Sequence, residues 1–589
     1  MTPNMHNLKY NREFFKDFWE LCKPYWRSEE RWSAYGLLAL VLFCNVVQIA
    51  GSVALNSFYQ EFFDALQNFS KHVMWALLGQ FTVIVIALIL SVGYGLYLSG
   101  ILSIRWRRWL TKNFVANWLA RDTFYRMQIL HKNVDNPDQR ISEDLDSFAA
   151  STLSLATTIF NSLLTIIVFG VILWRISGNI HIPITSTYQL TISGYLLWVA
   201  LICAVVGTWL TRVIGRSLAG LDYQQQQFNA NFRFGLVRVR ETSEQIALYN
   251  GETLENNHLN DIFKSIFSNF LSLIKIQKYL MFFRFGYTSV SYFIGLIAGL
   301  PLYFSKKIQI GGIMQISGAY GEVIGALSIL VTAFASIAAW RAVIYRLTEF
   351  NHHMDEAHNL PANAQIQHNF HSENTVVVSN LTLLSPLNQL LAQNLNFSIH
   401  SGDSLLITGT TGAGKSTLLR ALAGIWPYGH GDIKLPQTKM MFLPQKPYLP
   451  LGSLREVLIY PDSSNTINNQ ELINVLKLCH LEKLQNDLDK VSNWSHELSL
   501  GEQQLIGFAR IFLQKPDWVF LDEATSALDE KTEQQMYQIL REQISNIAVI
   551  SVGHRSSLNS FHKQKLEISK IPNPPMPPEP EVSISNALL

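Results

Sequence analysis

Charged side chains are scarce in this chain. They make up 15% of its 589 residues, whereas about 25% is usual for a soluble protein, and this argues against a wholly soluble protein. The 46 lysines and arginines almost balance the 44 carboxylates, which gives a net charge of +2. Because no bulk positive charge is present, the composition gives no support to a nucleic-acid partner.

Cysteines are also few. Cys22, Cys44, Cys203 and Cys479 are scattered, with no CxxC and no paired spacing, so neither a disulfide framework nor a zinc site is indicated. The N-terminus lacks a short apolar stretch followed by a small-residue cleavage site, and we expect no cleaved signal peptide.

Long apolar runs fill the first 340 residues. A membrane span needs about 20 mostly apolar residues, and this rule predicts six spans. The sixth contains Glu322, which either lines a solute path or lies at the water boundary; both interpretations stay open. The predicted spans lie near residues 34–55, 74–99, 152–174, 191–210, 285–304 and 317–335.

Lysine and arginine predict the orientation of these spans. They cluster before the first span and after the second, fourth and sixth, whereas the other three connections are nearly bare. Since cytosolic loops carry the excess of positive charge, both termini are predicted to face the cytosol. The two basic connections contain few prolines and glycines and keep a helical apolar spacing, as at Trp106, Leu110 and Phe114. We therefore predict long helical extensions of the spans, joined by short turns that touch a cytosolic domain.

Residues 11–25 form an amphipathic pattern before the first span. Phe14, Phe15, Phe18, Trp19 and Cys22 share one helical face. Such a helix either lies in the membrane interface or packs on the cytosolic part of the spans.

A P-loop follows the apolar strand predicted at residues 404–408. Strand, glycine-rich loop and helix follow in the order that this motif requires. Backbone N–H groups of the loop and the helix N-terminus would hold phosphates, Lys415 would reach the β- and γ-phosphates of ATP, and Ser416 would bind Mg²⁺. The predicted nucleotide-binding residues here are Gly409, Thr410, Thr411, Gly412, Ala413, Gly414, Lys415, Ser416 and Thr417.

Two carboxylates end a second apolar strand, at residues 518–521. Ligands of open α/β sheets bind at the carboxyl ends of the strands. Asp522 is therefore predicted to hold Mg²⁺, and Glu523 to polarise the attacking water. A helix N-cap role for the pair is the alternative, and it is weakened because the P-loop already requires such an acid.

Residues 498–504, Leu-Ser-Leu-Gly-Glu-Gln-Gln, resemble the signature of ABC transporters, with Leu500 and Glu502 in place of its usual Gly and Gln. The resemblance implies that Ser499, Gly501 and Glu502 serve the nucleotide held by the P-loop of a second copy. It also identifies Gln445 as the Q-loop residue and a Mg²⁺ ligand, residues 526–529 as the D-loop, and His554 as the switch histidine. The implied catalytic set is Glu523, His554, Gln445 and Lys415, and the implied metal ligands are Ser416, Gln445 and Asp522.

The aromatic residue on which ABC ATPases often stack adenine is missing. No aromatic residue lies between Val376 and Asn396. We expect adenine to rest on an aliphatic side chain such as Leu384, or on Pro386.

The resemblance extends to the membrane half. Residues 136–144, 244–252 and 326–347 are similar to motifs of the branch that holds the bacterial SbmA/BacA-like and YddA-like transporters and the peroxisomal fatty acyl-CoA transporters. It implies a six-span, exporter-type helical transmembrane domain followed by an α/β P-loop ABC ATPase domain. It further implies ATP-driven solute transport by a homodimer in a bacterial inner membrane, with ATP and Mg²⁺ as cofactors and no nucleic acid. A heterodimer with a related chain is the alternative. For residues 136–138, a helix cap is an equally good explanation.

The predicted boundaries are an N-terminal helix at 1–33, the transmembrane domain at 34–350, a linker at 351–374, the ATPase domain at 375–565 and a proline-rich tail at 566–589. The solute class stays open between a peptide or cobalamin-like solute and a lipid or acyl-CoA, as does the direction of transport. The rival functions are a soluble ABC ATPase, against which the spans argue, an ATP-gated channel, and a gradient-driven transporter. The intact Lys415, Asp522, Glu523 and His554 argue against the last.

Overall fold

The computed structural model describes residues 12–130, 136–185, 188–329, 333–359, 365–462 and 467–569. The chain divides into two compact units. One comprises Met1–Ala116 and Asp135–Asn351, and the other comprises Asn117–Val134 and His352–Leu589.

Long helices dominate the first unit. Five of them, taken with the helices that continue them, are long and apolar enough to cross a membrane, and they contain the first five predicted spans apart from residues 191–194. The helices from the N-terminus to the linker are α1 (Arg12–Trp26), α2 (Arg31–Gln67), α3 (Lys71–Leu119), α4 (Thr123–Leu130), α5 (Pro137–Gln139), α6 (Leu145–Ser177), α7 (Tyr195–Gly215), α8 (Leu218–Glu241), α9 (Ser243–Leu248), α10 (Glu252–Phe304), α11 (Ile310–Leu327) and α12 (Phe334–Asn359).

Two predicted spans differ from the structure. The fourth begins at Tyr195 rather than at residue 191, because strand β1 (Asn179–Thr185) pairs antiparallel with strand β2 (Tyr188–Ser193) just before the helix. The sixth corresponds to α11, which has only 18 residues and is not among the helices that qualify as spans. Its glycines, Gln315 and Glu322 lower its hydropathy, and residues 330–332 of the predicted span lie outside the described part of the chain.

Helix α1 matches the predicted amphipathic segment, but its apolar residues point in two directions. The Phe18 ring lies 5.1 Å from the ring of Trp340 and 6.3 Å from that of Phe148, and Cys22 is buried. Phe15 and Trp19 remain 57% and 59% exposed. Phe18 and Cys22 therefore pack on the helices of the first unit, whereas Phe15 and Trp19 are exposed and available to the membrane interface.

A buried ionic cluster follows α5. Arg140–Asp144 forms a π-helical turn that leads into α6. The Asp144 carboxylate accepts hydrogen bonds from Arg140 and from Arg346 of α12, whose Nη2 and Nε lie 2.6 and 2.9 Å from its two oxygens. Asn136 and Pro137 take the N-cap and first helical positions of α5, as the cap interpretation predicts, although the Asn136 side chain makes no capping hydrogen bond.

The described part of the second unit contains two large sheets and a two-stranded one, β9–β10. The first has the parallel order β13-β6-β12-β11-β8, and the second has the order β3-β7-β4-β5. Strands β6, β11 and β12 are almost wholly buried, which suits apolar runs covered on both faces. The strands are β3 (Gln365–His371), β4 (Thr375–Leu384), β5 (Leu390–His400), β6 (Ser404–Gly409), β7 (Gly429–Pro436), β8 (Met440–Leu443), β9 (Gly452–Ser453), β10 (Val491–Ser492), β11 (Trp518–Asp522), β12 (Ala548–Val552) and β13 (Gln564–Ile568).

Six helices cover these sheets: α13 (Lys415–Leu422), α14 (Leu454–Ile459), α15 (Asn469–Leu478), α16 (Trp494–Glu497), α17 (Leu500–Gln514) and α18 (Glu530–Gln543). The sheet begins at Gln365, inside the predicted linker, because β3 pairs in parallel with β7. The last strand ends at Ile568, three residues beyond the predicted boundary.

Helix α4 belongs to the second unit. Its Ile129 packs against the apolar core that includes Leu422, Trp426 and Ile433. The structure thus places one of the turns between the basic helices on the ATPase fold, as the sequence predicts.

Candidate functional site

The P-loop has the geometry of an anion-binding site. It runs from β6 to the N-terminus of the eight-residue helix α13. Gly409 has φ +149°, and an added Cβ there would lie 2.2 Å from the Ile568 carbonyl oxygen, so only glycine fits. The Lys415 Nζ donates to the carbonyl oxygens of Gly409 and Thr410 at 2.9 and 3.1 Å. The ammonium therefore lies inside the loop where phosphates bind.

Oxygen donors suited to Mg²⁺ meet beside the loop. The Ser416 hydroxyl donates to Asp522 Oδ1 at 2.8 Å, so two of the three predicted metal ligands lie close enough to share one cation. Gln445 as the third ligand stays a prediction. Burial raises the pKa of Asp522, the hydrogen bond from Ser416 opposes this, and the neighbouring Glu523 charge adds to it. A divalent cation held here would offset the energetic cost of burying the charged form of that carboxylate. The residues thus fit the ion that the sequence predicts.

Glu523 is held between the predicted Q-loop and switch residues. Its backbone has φ +49°, a strained conformation for a non-glycine residue that is common at functional sites. The Gln445 Nε2 donates to Glu523 Oε2 at 3.3 Å, and the His554 Nε2 lies 3.4 Å from Glu523 Oε1. The structure therefore brings two of the four predicted catalytic residues, Gln445 and His554, to the carboxylate of a third, Glu523.

The signature segment begins helix α17. Ser499 is the N-cap, and Glu502 completes a capping box with it: the Ser499 N–H and hydroxyl each donate to Glu502 Oε2 at 2.9 Å. Burial alone would raise the pKa of Glu502, but hydrogen bonds from Lys483 and Ser499 outweigh it and lower the pKa. Glu502 is thus an anion turned back onto its own helix. Its predicted contact with nucleotide stays a prediction, as do those of Ser499 and Gly501.

Gln504 is a residue whose role the sequence did not indicate. It is fully buried. Its amide N–H groups donate to the carbonyl oxygen of Gln445 at 2.8 Å and to the Ser526 hydroxyl at 3.2 Å, and its Oε1 accepts from the Ala527 N–H at 3.0 Å. It therefore ties the signature helix to the Q-loop and the D-loop. A glutamine on the apolar face of α17 is the signal that could have revealed it.

Glu533 of α18 is a second such residue. It is 1% exposed and accepts hydrogen bonds from Thr525 at 2.5 Å and Ser557 at 2.9 Å. Arg555, next to His554, lies 3.6 Å from it and also donates to the Ser526 carbonyl oxygen at 3.1 Å. The hydrogen bonds and the ion pair of Glu533, together with Arg555, thereby connect the D-loop to the segment that follows the switch histidine.

The turn that carries the predicted adenine contacts lies close to the P-loop. It follows Leu384 and is closed by hydrogen bonds to Ser385. The next strand brings the Leu391 Cβ to 3.3 Å from an added Cβ at Gly414. An aliphatic surface is therefore present, while Leu384 and Pro386 as adenine contacts stay predictions.

Polar side chains of the membrane half differ in whether they form hydrogen bonds and in how exposed they are. Asn45 donates to the Val41 carbonyl oxygen within its own helix at 2.9 Å. Asn56 is 5% exposed, and neither of its amide atoms forms a hydrogen bond with the described residues. Glu322 lies on the exposed side of α11, between Gly321 and Gly325, where an added Cβ would meet no atom within 4 Å.

Comparisons with known proteins agree with this arrangement. Residues 21–304 match the family described as "ABC transporter transmembrane region 2", and residues 392–526 match the family described as "ABC transporter". The chain is similar in fold to a bacterial Atm1-family ABC exporter with ATP bound, with a TM-score of 0.72, 17% identity, and coverage of 93% of this chain and 95% of that one.

Two relatives match over nearly their whole length. The inner membrane ABC transporter ATP-binding protein YddA of Escherichia coli is 32% identical, over 94% of this chain and 97% of the relative. The chloroplastic ABC transporter D family member 2 of Arabidopsis thaliana is 33% identical, over 95% and 86%. This chain belongs to the ABC transporters: it is a half-transporter in which a helical transmembrane region is fused to one ABC transport ATPase domain.

Proposed function

We propose that this chain drives a solute across a bacterial inner membrane by hydrolysing ATP, as a homodimer with both termini in the cytosol. The observation that carries the proposal is the Glu523 carboxylate, which lies between Gln445 and His554 beside the Ser416–Asp522 pair. In this proposal Glu523 polarises the attacking water and His554 positions the γ-phosphate. Lys415 and the loop N–H groups bind the phosphates.

A second copy is needed because one chain supplies one P-loop and one signature. In the proposed dimer, Ser499 and Gly501 of each copy face the nucleotide on the partner's P-loop. The capping box at Ser499 holds the start of α17 in place for that contact. The location follows from the inner-membrane relative and from the basic connections between spans.

A polar solute such as a peptide or a cobalamin-like molecule is the class that we favour. The first unit contains a cavity of about 400 Å³, within the usual size range of ligand sites. Four hydroxyl residues line it: Ser151, Ser154, Thr158 and Ser336. These hydroxyl groups favour a hydrogen-bonding solute over an acyl chain. The resemblance to fatty acyl-CoA transporters keeps an acyl-CoA as the second candidate.

The test is ATP hydrolysis and solute flux with the full chain in liposomes. Glu523→Gln should lower hydrolysis by about 100-fold or more, because general-base assistance is typically worth that much. ATP binding should persist. Glu530→Gln, which alters an exposed carboxylate of the same domain, is the matched control and should retain the wild-type rate.

A panel of peptides, cobalamin and acyl-CoAs then identifies the solute class by stimulation of hydrolysis. Flux that continues unchanged in Glu523→Gln would favour the gradient-driven or channel function and remove Glu523 from the mechanism. Stimulation by acyl-CoA alone would favour the lipid translocase.

A further inference from the structure

A groove opens in the second unit between helix α4 and the ATPase fold. Its cavity has a volume of about 380 Å³. On one side lies Arg126 of α4, on another the strand β3, and on a third the segment that follows helix α13. The lining residues used below are Arg126, Ile366, His368, Phe370, Trp426 and Pro427.

Two aromatic residues form part of the groove wall. Trp426 is held in place because its Nε1 donates to the Leu384 carbonyl oxygen at 3.0 Å. Phe370 of β3 is 57% exposed, so its ring is accessible to a ligand in the groove. Aromatic-lined grooves of this kind bind proline-rich segments in a polyproline II conformation.

The groove also carries positive charge that lacks a partner. The Arg126 Nη1 is shielded from solvent and forms no hydrogen bond with the described residues. No carboxylate is among the lining residues of the described chain. A shielded guanidinium without a hydrogen bond is costly, so the groove favours an acidic occupant.

The chain itself contains a segment with these properties. Residues 571–581, Ile-Pro-Asn-Pro-Pro-Met-Pro-Pro-Glu-Pro-Glu, hold six prolines and two glutamates, Glu579 and Glu581. They lie outside the described residues and follow strand β13.

This segment is long enough to reach the groove. Ile568 of β13 pairs with Gly409 of β6, and the P-loop and α13 lead from Gly409 to Leu422 at the groove edge. That path is on the order of 35 Å if the loop were fully extended. The 13 residues from Ile568 to Glu581 span about 40 Å in a polyproline II conformation.

We propose that the C-terminal proline-rich segment of the same chain binds this groove. The prolines pack mainly on the exposed ring of Phe370, because Trp426 is only 8% exposed and presents just an edge to the groove. Glu579 or Glu581 pairs with Arg126. Because α4 forms one wall, the bound segment holds α4 on the ATPase fold. This contact is independent of which solute the transporter carries.

The first test uses a variant that ends at residue 569 and a labelled peptide of residues 571–582. The peptide should bind this variant, and Arg126→Glu should weaken binding tenfold or more, because a hydrogen-bonded charge pair is worth about 1.5–3 kcal/mol. A peptide in which lysines replace Glu579 and Glu581 should recover binding to Arg126→Glu. Arg121→Glu is the matched control, since Arg121 precedes α4 in the chain and does not line the groove.

The second test uses the full chain, with a photocrosslinking residue at position 370. A crosslink to residues 571–582 of the same chain supports the proposal. A crosslink to the tail of a second copy overturns the assignment to the same chain. Peptide binding that is equal in Arg126→Glu and the parent, or no binding at 1 mM peptide, overturns the groove as a site for this segment.

Discussion

Gln504 shows how one buried amide can hold several functional segments together. Its hydrogen bonds reach Gln445, Ser526 and Ala527. Gln504→Leu keeps the size of the side chain but leaves the Gln445 carbonyl oxygen and the Ala527 N–H without partners. We expect it to lower the free energy of unfolding by about 1–3 kcal/mol and to slow ATP hydrolysis.

Thermal unfolding and steady-state hydrolysis check this prediction. Gln538→Leu is the control, because Gln538 lies on the exposed side of α18 and bonds only to Glu542 in the described structure. Its effect should stay within about 0.5 kcal/mol. Equal melting temperatures and rates for the two variants would contradict the bridging role of Gln504.

His562 gives the ATPase domain a defined pH dependence. It is packed between the Leu558 carbonyl oxygen and the Ser551 hydroxyl. Burial, with a further contribution from the charge of Arg541, lowers its pKa below the ordinary 6.5. Below pH 6.5 the unfolded chain therefore binds a proton that the folded chain does not. The stability contributed by neutral His562 is present above 6.5 and is lost as pH falls through the folded-state pKa.

Melting temperatures of the purified chain between pH 8 and 5 test this. The melting temperature should fall on the acid side, and His562→Gln should reduce the fall, since it removes the titrating group. A fall of the same size in both proteins would assign the acid sensitivity to other groups.

Residues of the ATP site divide into those that a sequence reveals and those that it does not. Lys415 and Asp522 each follow an apolar strand, so local pattern locates them, whereas His554 is identified by its order and spacing relative to the other ABC motifs. Gln504 and Glu533 act through contacts with segments that are distant along the chain, and no local pattern records those partners. Glu502 lies between these cases, because its capping box is local but its pair with Lys483 is not.

At the scale of elements, the π-helical turn Arg140–Asp144 joins α6 to α12. Asp144→Asn would leave Arg140 buried beside a neutral partner. Removal of one member of a buried ion pair typically costs about 3–5 kcal/mol. We expect this variant to unfold at a clearly lower temperature and to yield less folded protein.

Asp146→Asn is the matched control two residues away. Its partner Arg107 lies at 3.1 Å, but that pair is half-exposed and should contribute about 1 kcal/mol or less. If Asp146→Asn destabilises the chain as much as Asp144→Asn, the buried cluster has no special role. Thermal unfolding in detergent measures both.

The elements that the sequence does not predict correctly are strands, because a strand forms only with a partner. The sequence predicts part of the hairpin β1–β2 as membrane span, because residue 191 adjoins an apolar run and only the pairing with β1 makes it a strand. It predicts β3 as linker, since Gln-Ile-Gln-His-Asn-Phe-His has few apolar residues and pairs with β7 some 60 residues later. The long helices were predicted because their apolar composition is local and continuous.

At the scale of the whole molecule, the chain contains half of what two composite ATP sites require. Each site of the proposed dimer takes Lys415 from one copy and Ser499 from the other. Lys415→Ala should disable the P-loop of a copy, and Ser499→Arg should block its signature, so each variant alone forms dimers with two broken sites. Both homodimers should therefore be nearly inactive.

Co-assembly of the two variants separates a shared site from a self-contained one. In a mixed dimer, the intact P-loop of the Ser499→Arg copy faces the intact signature of the Lys415→Ala copy, which restores one site. With random pairing, half of the dimers are mixed and each has one of two sites, so hydrolysis should recover to about a quarter of the wild-type rate if the sites act independently. Differently tagged copies, purified together, would raise this to about half. If nucleotide were instead bound and hydrolysed within one chain, every copy in the mixture would still be defective and no activity would return.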